Sequence, residues 1–143
     1  MPIIGLNINS VNAEISDKMP RGNVNININS TPKIAGIEKK DVNMIGMDDV
    51  ISFAFSFETK YEPDIGKIEF TGEVLYQSID AKNILNKWKK EKKINDDLAV
   101  EVLNAVFRKC LSKGIDIAME LRLPPPISFP MVKTKEEGQE YVG

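Results

Sequence analysis

A chain of 143 residues that is 42% hydrophobic and 28% charged has the size and composition of one ordinary globular domain, which excludes wholesale disorder. Lys and Arg total 19 against 21 acidic groups, so the net charge of −2 excludes the overall basic charge of many nucleic-acid-binding proteins. Histidine is absent, which removes the commonest general base and metal ligand and argues against an enzyme.

The same composition indicates where the protein works. Its single cysteine, Cys110, cannot form an intramolecular disulfide and favours a reducing compartment. No stretch approaches the roughly 20 apolar residues of a membrane span, and the N-terminal residues show no secretory signal. We therefore expect a cytoplasmic protein without a membrane segment, and the sequence indicates neither a cofactor nor a metal.

The first 77 residues predict mainly β-strands. Apolar and polar residues alternate over 4–9 and again over 23–29, which is typical of strands with one buried face. The turn-forming residues 19–22 (Met-Pro-Arg-Gly) separate these two strands.

The clearest unit is a predicted antiparallel hairpin over 51–77. Its first strand places three phenylalanines on one face, and residues 61–66 (Tyr-Glu-Pro-Asp-Ile-Gly) form the turn, in which Pro fixes φ and Gly66 permits a positive φ. One register puts nearly every large apolar side chain on a single face of the hairpin. That register pairs Thr59 with Ile68, Phe57 with Phe70, Phe55 with Gly72 and Phe53 with Val74.

Residues 79–122 predict helices. Asp80 is expected to cap a short helix, and Asn95 or Asp96 a longer one whose apolar residues recur at spacings of three and four. Cys110 lies in this apolar stripe, so we expect a buried thiol rather than a reactive one. Gly114 either weakens one long helix or separates two helices, and the sequence leaves both possibilities open.

The order of elements predicts an α+β fold, in which an antiparallel sheet of about four to six strands is packed by C-terminal helices. We assign a single domain to residues 1–132, with strands mainly in 1–77 and helices mainly in 79–122. Residues 123–131 are too rich in proline for a helix and predict an extended segment. Residues 133–143 predict a flexible polar tail.

No catalytic residue is predicted. The carboxylates of Glu69 and Glu73 lie on one side of their strand about 13 Å apart, wider than the separations that glycosidases use. Asp48 and Asp49 are typical of a turn between strands. Without histidine, neither these acids nor Cys110 have the partners that acid–base or nucleophilic catalysis usually needs.

A basic cluster surrounds the single tryptophan, since residues 80–93 contain six lysines and two acids. Lysines beside an aromatic ring are typical of surfaces that bind the phosphate backbone of a nucleic acid. Lysines at the carboxyl end of a helix also stabilise the helix through its dipole, which is the alternative explanation. This cluster supports the alternative hypothesis of a ribosome- or RNA-associated factor. Its predicted nucleic-acid-binding residues are Lys82, Lys87, Trp88, Lys89, Lys90, Lys92 and Lys93.

The predicted sheet is followed by a long helix, in which residues 97–104 read Asp-Leu-Ala-Val-Glu-Val-Leu-Asn. A proline-rich segment comes next, with residues 123–130 reading Leu-Pro-Pro-Pro-Ile-Ser-Phe-Pro. This order of elements resembles the layout of the SecB-type export chaperones. Through residues 61–66 and the closing Leu-Pro-Pro, the chain also resembles small, mostly uncharacterised archaeal proteins. The SecB resemblance implies a sheet with an apolar groove that binds extended, non-native polypeptide, usually within an oligomer.

The leading hypothesis is therefore a non-enzymatic, chaperone-like or scaffold-like protein. We expect the late helices to shield the phenylalanine-rich face of the sheet only partly, so that a protein partner or unfolded polypeptide binds there. The proline-rich segment either docks on a partner or packs on the protein's own surface. Unpaired sheet edges also predict a homo-oligomer. The predicted partner-binding residues are Phe53, Phe55, Phe57, Leu123, Pro125, Ile127, Phe129 and Met131.

Overall fold

Four long strands form one antiparallel sheet in the computed structural model, which describes residues 3–17, 25–41 and 49–127. The spatial order is β1-β4-β3-β2, so β1 and β2 are the edges. The predicted α+β fold and antiparallel sheet are confirmed. The strands are β1 (Ile3–Ile15), β2 (Asn27–Lys39), β3 (Val50–Glu62) and β4 (Gly66–Gln77).

The second strand lies further along the chain than the sequence pattern predicted. The alternation placed it at 23–29, whereas β2 runs from Asn27 to Lys39. It passes through Pro32 and, at an irregularity in the register, Gly36. Both residues argue against a strand, and the sheet accepts them because β2 is an edge strand. The turn predicted at 19–22 lies outside the described residues.

The predicted hairpin is confirmed in its register. Each of the four expected pairs is a cross-strand pair of β3 and β4, including Phe57 with Phe70 and Phe55 with Gly72. The rings of Phe57 and Phe70 have centroids 6.4 Å apart. The alternation of apolar and polar residues fixes this register, because a slip by one residue would turn the phenylalanines to solvent.

The hairpin turn uses a different residue for its left-handed backbone than expected. Asp64 has the positive φ, 48°, so the prediction for Gly66 is wrong. Gly66 serves another purpose, since a Cβ atom there would lie 2.8 Å from the carbonyl oxygen of Glu14 on β1. The close approach of β1 therefore requires glycine at the start of β4.

Two helices follow the sheet, α1 (Ala81–Glu91) and α2 (Asp96–Glu120). The Asn95 side chain caps α2 by accepting a hydrogen bond of 3.1 Å from the Asp97 amide. Asp80 stands at the N-cap position of α1, but its side chain forms no capping hydrogen bond, so that prediction is wrong. The alternative that the sequence left open is decided in favour of one helix, because α2 continues through Gly114.

The core lies between α2 and one face of the sheet. Buried residues recur on α2 every four positions, and this helix contacts all four strands. The opposite face of the sheet carries mostly polar side chains, so the sheet has one dry and one wet face. Within the described residues, neither helix is both long and apolar enough to cross a membrane. The buried residues of α2 are Leu98, Val102, Val106, Cys110, Gly114 and Ala118.

Candidate functional site

The phenylalanine-rich face is covered. Phe53, Phe55 and Phe57 are 0%, 2% and 1% exposed, and Phe107 of α2 packs edge-on against Phe57 with centroids 5.4 Å apart. The expectation that the helices shield this face only partly is wrong at these three positions. A helix of 25 residues is about 37 Å long, which is enough to run most of the length of the strands.

The proline-rich segment packs against the protein's own fold as far as the structure describes it. After α2, Arg122 takes a left-handed conformation with φ 57°. The Leu123 amide then donates to the Ala118 carbonyl and the Arg122 amide to the Met119 carbonyl. This is the Schellman arrangement, which ends a helix and reverses the chain.

Three contacts hold the reversed segment in place. Leu123 is buried, 3.3 Å from where a Cβ of Gly66 would lie. The Tyr61 hydroxyl donates a 2.7 Å hydrogen bond to the Pro124 carbonyl. Pro126 lies beside Gly114 of α2. Pro125 is half-buried and Ile127 is exposed.

Two residues of the predicted partner-binding set, Phe129 and Met131, lie outside the described residues.

Among the residues that the structure describes, the sheet itself has an open apolar surface on β1. Val11 and Ile15 are 53% and 45% exposed. Both belong to the face of β1 that turns towards the helices, since they pair with Phe70 and Gly66 on β4. The proline-rich segment begins beside this surface, because Leu123 and Ile15 both lie within 3.5 Å of the same point above Gly66.

The outer edge of β1 has no pairing strand in the part of the chain that the structure describes. Among the described residues β1 pairs only with β4, and its register is regular from Ser10 to Ile15. Edge strands usually carry proline, lysine or other charges that discourage pairing. The other edge strand, β2, has Pro32 and Lys33, whereas β1 contains neither proline nor lysine and carries Glu14 as its one charged residue. We call Ser10–Ile15 the β1 edge segment.

Comparison with known proteins identifies the architecture. No family model and no curated protein matches the sequence. Among solved structures, the chain is similar to the SecB-like chaperone Rv1957 of Mycobacterium tuberculosis, solved in complex with a ChAD peptide from the HigA1 antitoxin Rv1956. The TM-score is 0.61 and the identity 13%, over 92% of this chain and 90% of that one. The chain has a SecB-like fold. The resemblance predicted from the order of elements is confirmed at this level.

In this SecB-like fold the predicted basic cluster lies on α1 and just beyond its carboxyl end. All six lysines are exposed, and none of them forms an ion pair with a described carboxylate. Trp88 is half-buried against the core, and the Lys92 ammonium lies 5.2 Å from the centre of its ring. The helix therefore displays the positive charges but not an open aromatic face.

The titratable groups that were weighed as catalytic candidates, Glu69, Glu73 and Cys110, form an ion pair or a hydrogen bond or lie in the core. A 2.7 Å hydrogen bond from the Ser52 hydroxyl, followed by the effect of Lys40, lowers the pKa of Glu73. Glu69 lies 3.9 Å from the Lys67 ammonium. Burial raises the pKa of Cys110 to about 11, so this thiol stays protonated at neutral pH. Its burial agrees with the prediction.

Sequence reasoning missed two concave sites formed by residues that are distant in the chain. One, of about 500 Å³, lies at the hairpin end of the sheet between β1 and the β3–β4 turn. The other, of about 250 Å³, lies between α1 and the ends of β2 and β3. The sequence pattern pointed only to Lys82 and Lys89 of the second site, as part of the basic cluster, because each cavity is formed by elements that meet only after folding.

Proposed function

We propose that this protein is a non-enzymatic, chaperone-like protein of the cytoplasm that binds extended or non-native polypeptide. One observation carries the proposal: the β1 edge segment combines two exposed apolar side chains with an outer backbone edge that no other described strand pairs with. An extended client pairs with the backbone of Ser10–Ile15 whatever its sequence. Val11 and Ile15 add affinity for apolar clients by removing their side chains from water.

The fold supports this proposal, since the similar chaperone from Mycobacterium tuberculosis was solved with a bound peptide. The sequence supports it as well, because a chain without histidine lacks the commonest catalytic base. Among the predicted partner-binding residues, Leu123, Pro125 and Ile127 remain proposed contributors, with Ile127 the most exposed at 39%. Phe53, Phe55 and Phe57 are buried in the core and are therefore not part of the proposed binding surface.

An aggregation assay tests the proposal. Chemically denatured citrate synthase is diluted into buffer with increasing amounts of the protein, and light scattering and gel filtration are followed. We expect the protein to suppress scattering and to elute with the client. A Val11→Asp/Ile15→Asp variant should lose most of this protection, because charges on the β1 edge segment oppose both pairing and apolar contact.

A matched control distinguishes this site from apolar exposure in general. Ile79 and Val100 are 93% and 57% exposed but lie outside the sheet, so an Ile79→Asp/Val100→Asp variant should protect the client like the unmodified protein. Circular dichroism melts check that both variants fold. The proposal is wrong if the unmodified protein neither suppresses scattering nor forms a complex. Equal protection by all three proteins would refute the assignment to β1.

A further inference from the structure

The cavity of about 250 Å³ between α1 and the sheet has an apolar floor. Val50 and Ile51, at the start of β3, lie beneath the cavity and are 1% and 0% exposed, so they close its floor without offering a ligand their own surface. Leu85 of α1 is half-buried and forms part of the opposite wall. A ligand in this cavity would therefore place apolar groups against Leu85.

Positive charge surrounds this apolar floor. Three exposed lysines line the cavity, Lys39 from the end of β2 and Lys82 and Lys89 from α1, against one carboxylate, Asp49. None of the three forms an ion pair within the part of the chain that the structure describes. Their side chains remain available to an anionic ligand, and their mutual repulsion would be relieved by one.

The stability of α1 does not explain the position of Lys82. This residue lies in the first turn of the helix, where the helix dipole favours acidic side chains and disfavours a cation, and that turn contains no acidic residue. Lys89 lies seven residues later, close to two full turns, and so shares the same side of the helix. Two lysines thus flank the cavity along α1, one of them at some cost to the helix.

We infer that this cavity binds a polypeptide segment that carries carboxylates beside apolar side chains. The inference rests on the proposed function in that the ligand is a polypeptide, but it assigns a second surface at the opposite edge of the sheet from β1. An apolar side chain of the segment contacts Leu85, above the buried Val50 and Ile51. Its neighbouring carboxylates pair with Lys82, Lys89 and Lys39, giving the specificity that the β1 edge lacks.

The surroundings favour such a segment over a nucleic acid. Proteins that bind single-stranded nucleic acid stack bases on open aromatic faces. The only tryptophan, Trp88, is half-buried with Lys92 over its ring, and no aromatic residue lines the cavity. The apolar wall that Leu85 contributes, in contrast, suits a leucine or isoleucine side chain better than a phosphate or a sugar.

Fluorescence anisotropy tests the inference with a labelled short peptide in which Leu alternates with Asp. We expect it to bind, and a Lys82→Glu/Lys89→Glu variant to bind it at least about tenfold more weakly. The control is Lys87→Glu/Lys90→Glu, which makes the same charge change on the same helix at residues that do not line the cavity. This control should weaken binding by less than about threefold, as expected for a screened, distant charge. Thermal melts confirm that both variants fold.

Several outcomes would overturn the inference. An equal loss of affinity in the two variants would indicate a diffuse field rather than a site. If a peptide in which Asn replaces Asp binds as tightly as the acidic peptide, the lysines do not contribute to binding. Tighter binding of an oligouridine that displaces the peptide would assign the cluster to nucleic acid. If the acidic peptide fails to bind while denatured citrate synthase is still protected, this inference fails and the proposed function stands.

The reverse result also separates the two proposals. If the acidic peptide binds and the cavity variant loses it, while citrate synthase aggregates unprotected, the cavity assignment stands and the proposed general chaperone activity fails.

Discussion

At the scale of single residues, the pair of Phe55 and Gly72 shows how tightly the sheet is packed. The ring of Phe55 lies over Gly72, 2.8 Å from where a Cβ would be, and such a Cβ would also overlap the carbonyl oxygen of Asn7 on β1. The ring could turn aside, but the backbone of β1 cannot shift without disturbing its hydrogen bonds to β4. Glycine is therefore required at this point of the central strand.

We expect Gly72→Ala to lower the free energy of unfolding by about 3 kcal/mol, because overpacking beside a fixed backbone cannot relax. Gly36→Ala is the matched control, since Gly36 also lies in a strand and a Cβ there has no atom within 4 Å. Urea denaturation of both variants measures the difference. Similar stability of the two variants would contradict the predicted overlap.

At the scale of elements, the proline-rich segment is tied to the β3–β4 hairpin through Tyr61. Burial raises the pKa of Tyr61 to about 12 from an ordinary 10.0, and its hydroxyl donates to the Pro124 carbonyl. Ionisation would cost this hydrogen bond and place a charge in the core. The attachment of the segment is thus sensitive to alkaline pH.

This coupling predicts a pH dependence of stability. The unfolded chain loses the Tyr61 proton near pH 10, whereas the folded protein retains it until pH approaches about 12. The contribution of Tyr61 is therefore fully present below pH 10 and is lost as pH rises towards 12. Urea denaturation between pH 8 and 12 should show a shallower decline for Tyr61→Phe than for the unmodified protein. Parallel declines would contradict the assignment, because Cys110 titrates alike in both proteins.

At the scale of the whole molecule, the two edges of the sheet differ. Pro32 and Lys33 protect β2, while the edge segment of β1 exposes Val11 and Ile15 and has no further described strand beside it. Such an edge is a site where a second copy of the chain would pair, in the same way that we propose for a client, and this is the physical basis of the predicted homo-oligomer.

We expect light scattering after gel filtration to give a mass above that of one chain, and Val11→Asp/Ile15→Asp to shift it towards one chain. The Ile79→Asp/Val100→Asp variant should keep the mass of the unmodified protein. A single-chain mass at all concentrations would contradict the prediction. If copies and clients share β1, added citrate synthase should also reduce the oligomer.

The features that the sequence determined by itself depend on neighbouring residues or on short connections. Alternation gave the register of β3 and β4, spacings of three and four predicted helix in the region of α2 without deciding between one helix and two, and Asn95 or Asp96 marked its beginning. Each rests on backbone geometry that repeats over two to four residues. The SecB-like order of elements followed from these local patterns.

Only the tertiary structure decided which surfaces are open. Phe57 and Val11 are both apolar strand residues, yet the first is covered by Phe107 and the second is not. The difference depends on where α2 crosses the sheet and on where Arg122 reverses the chain. Those contacts join residues far apart in sequence, so no local pattern encodes them, and the candidate binding surfaces depend on them.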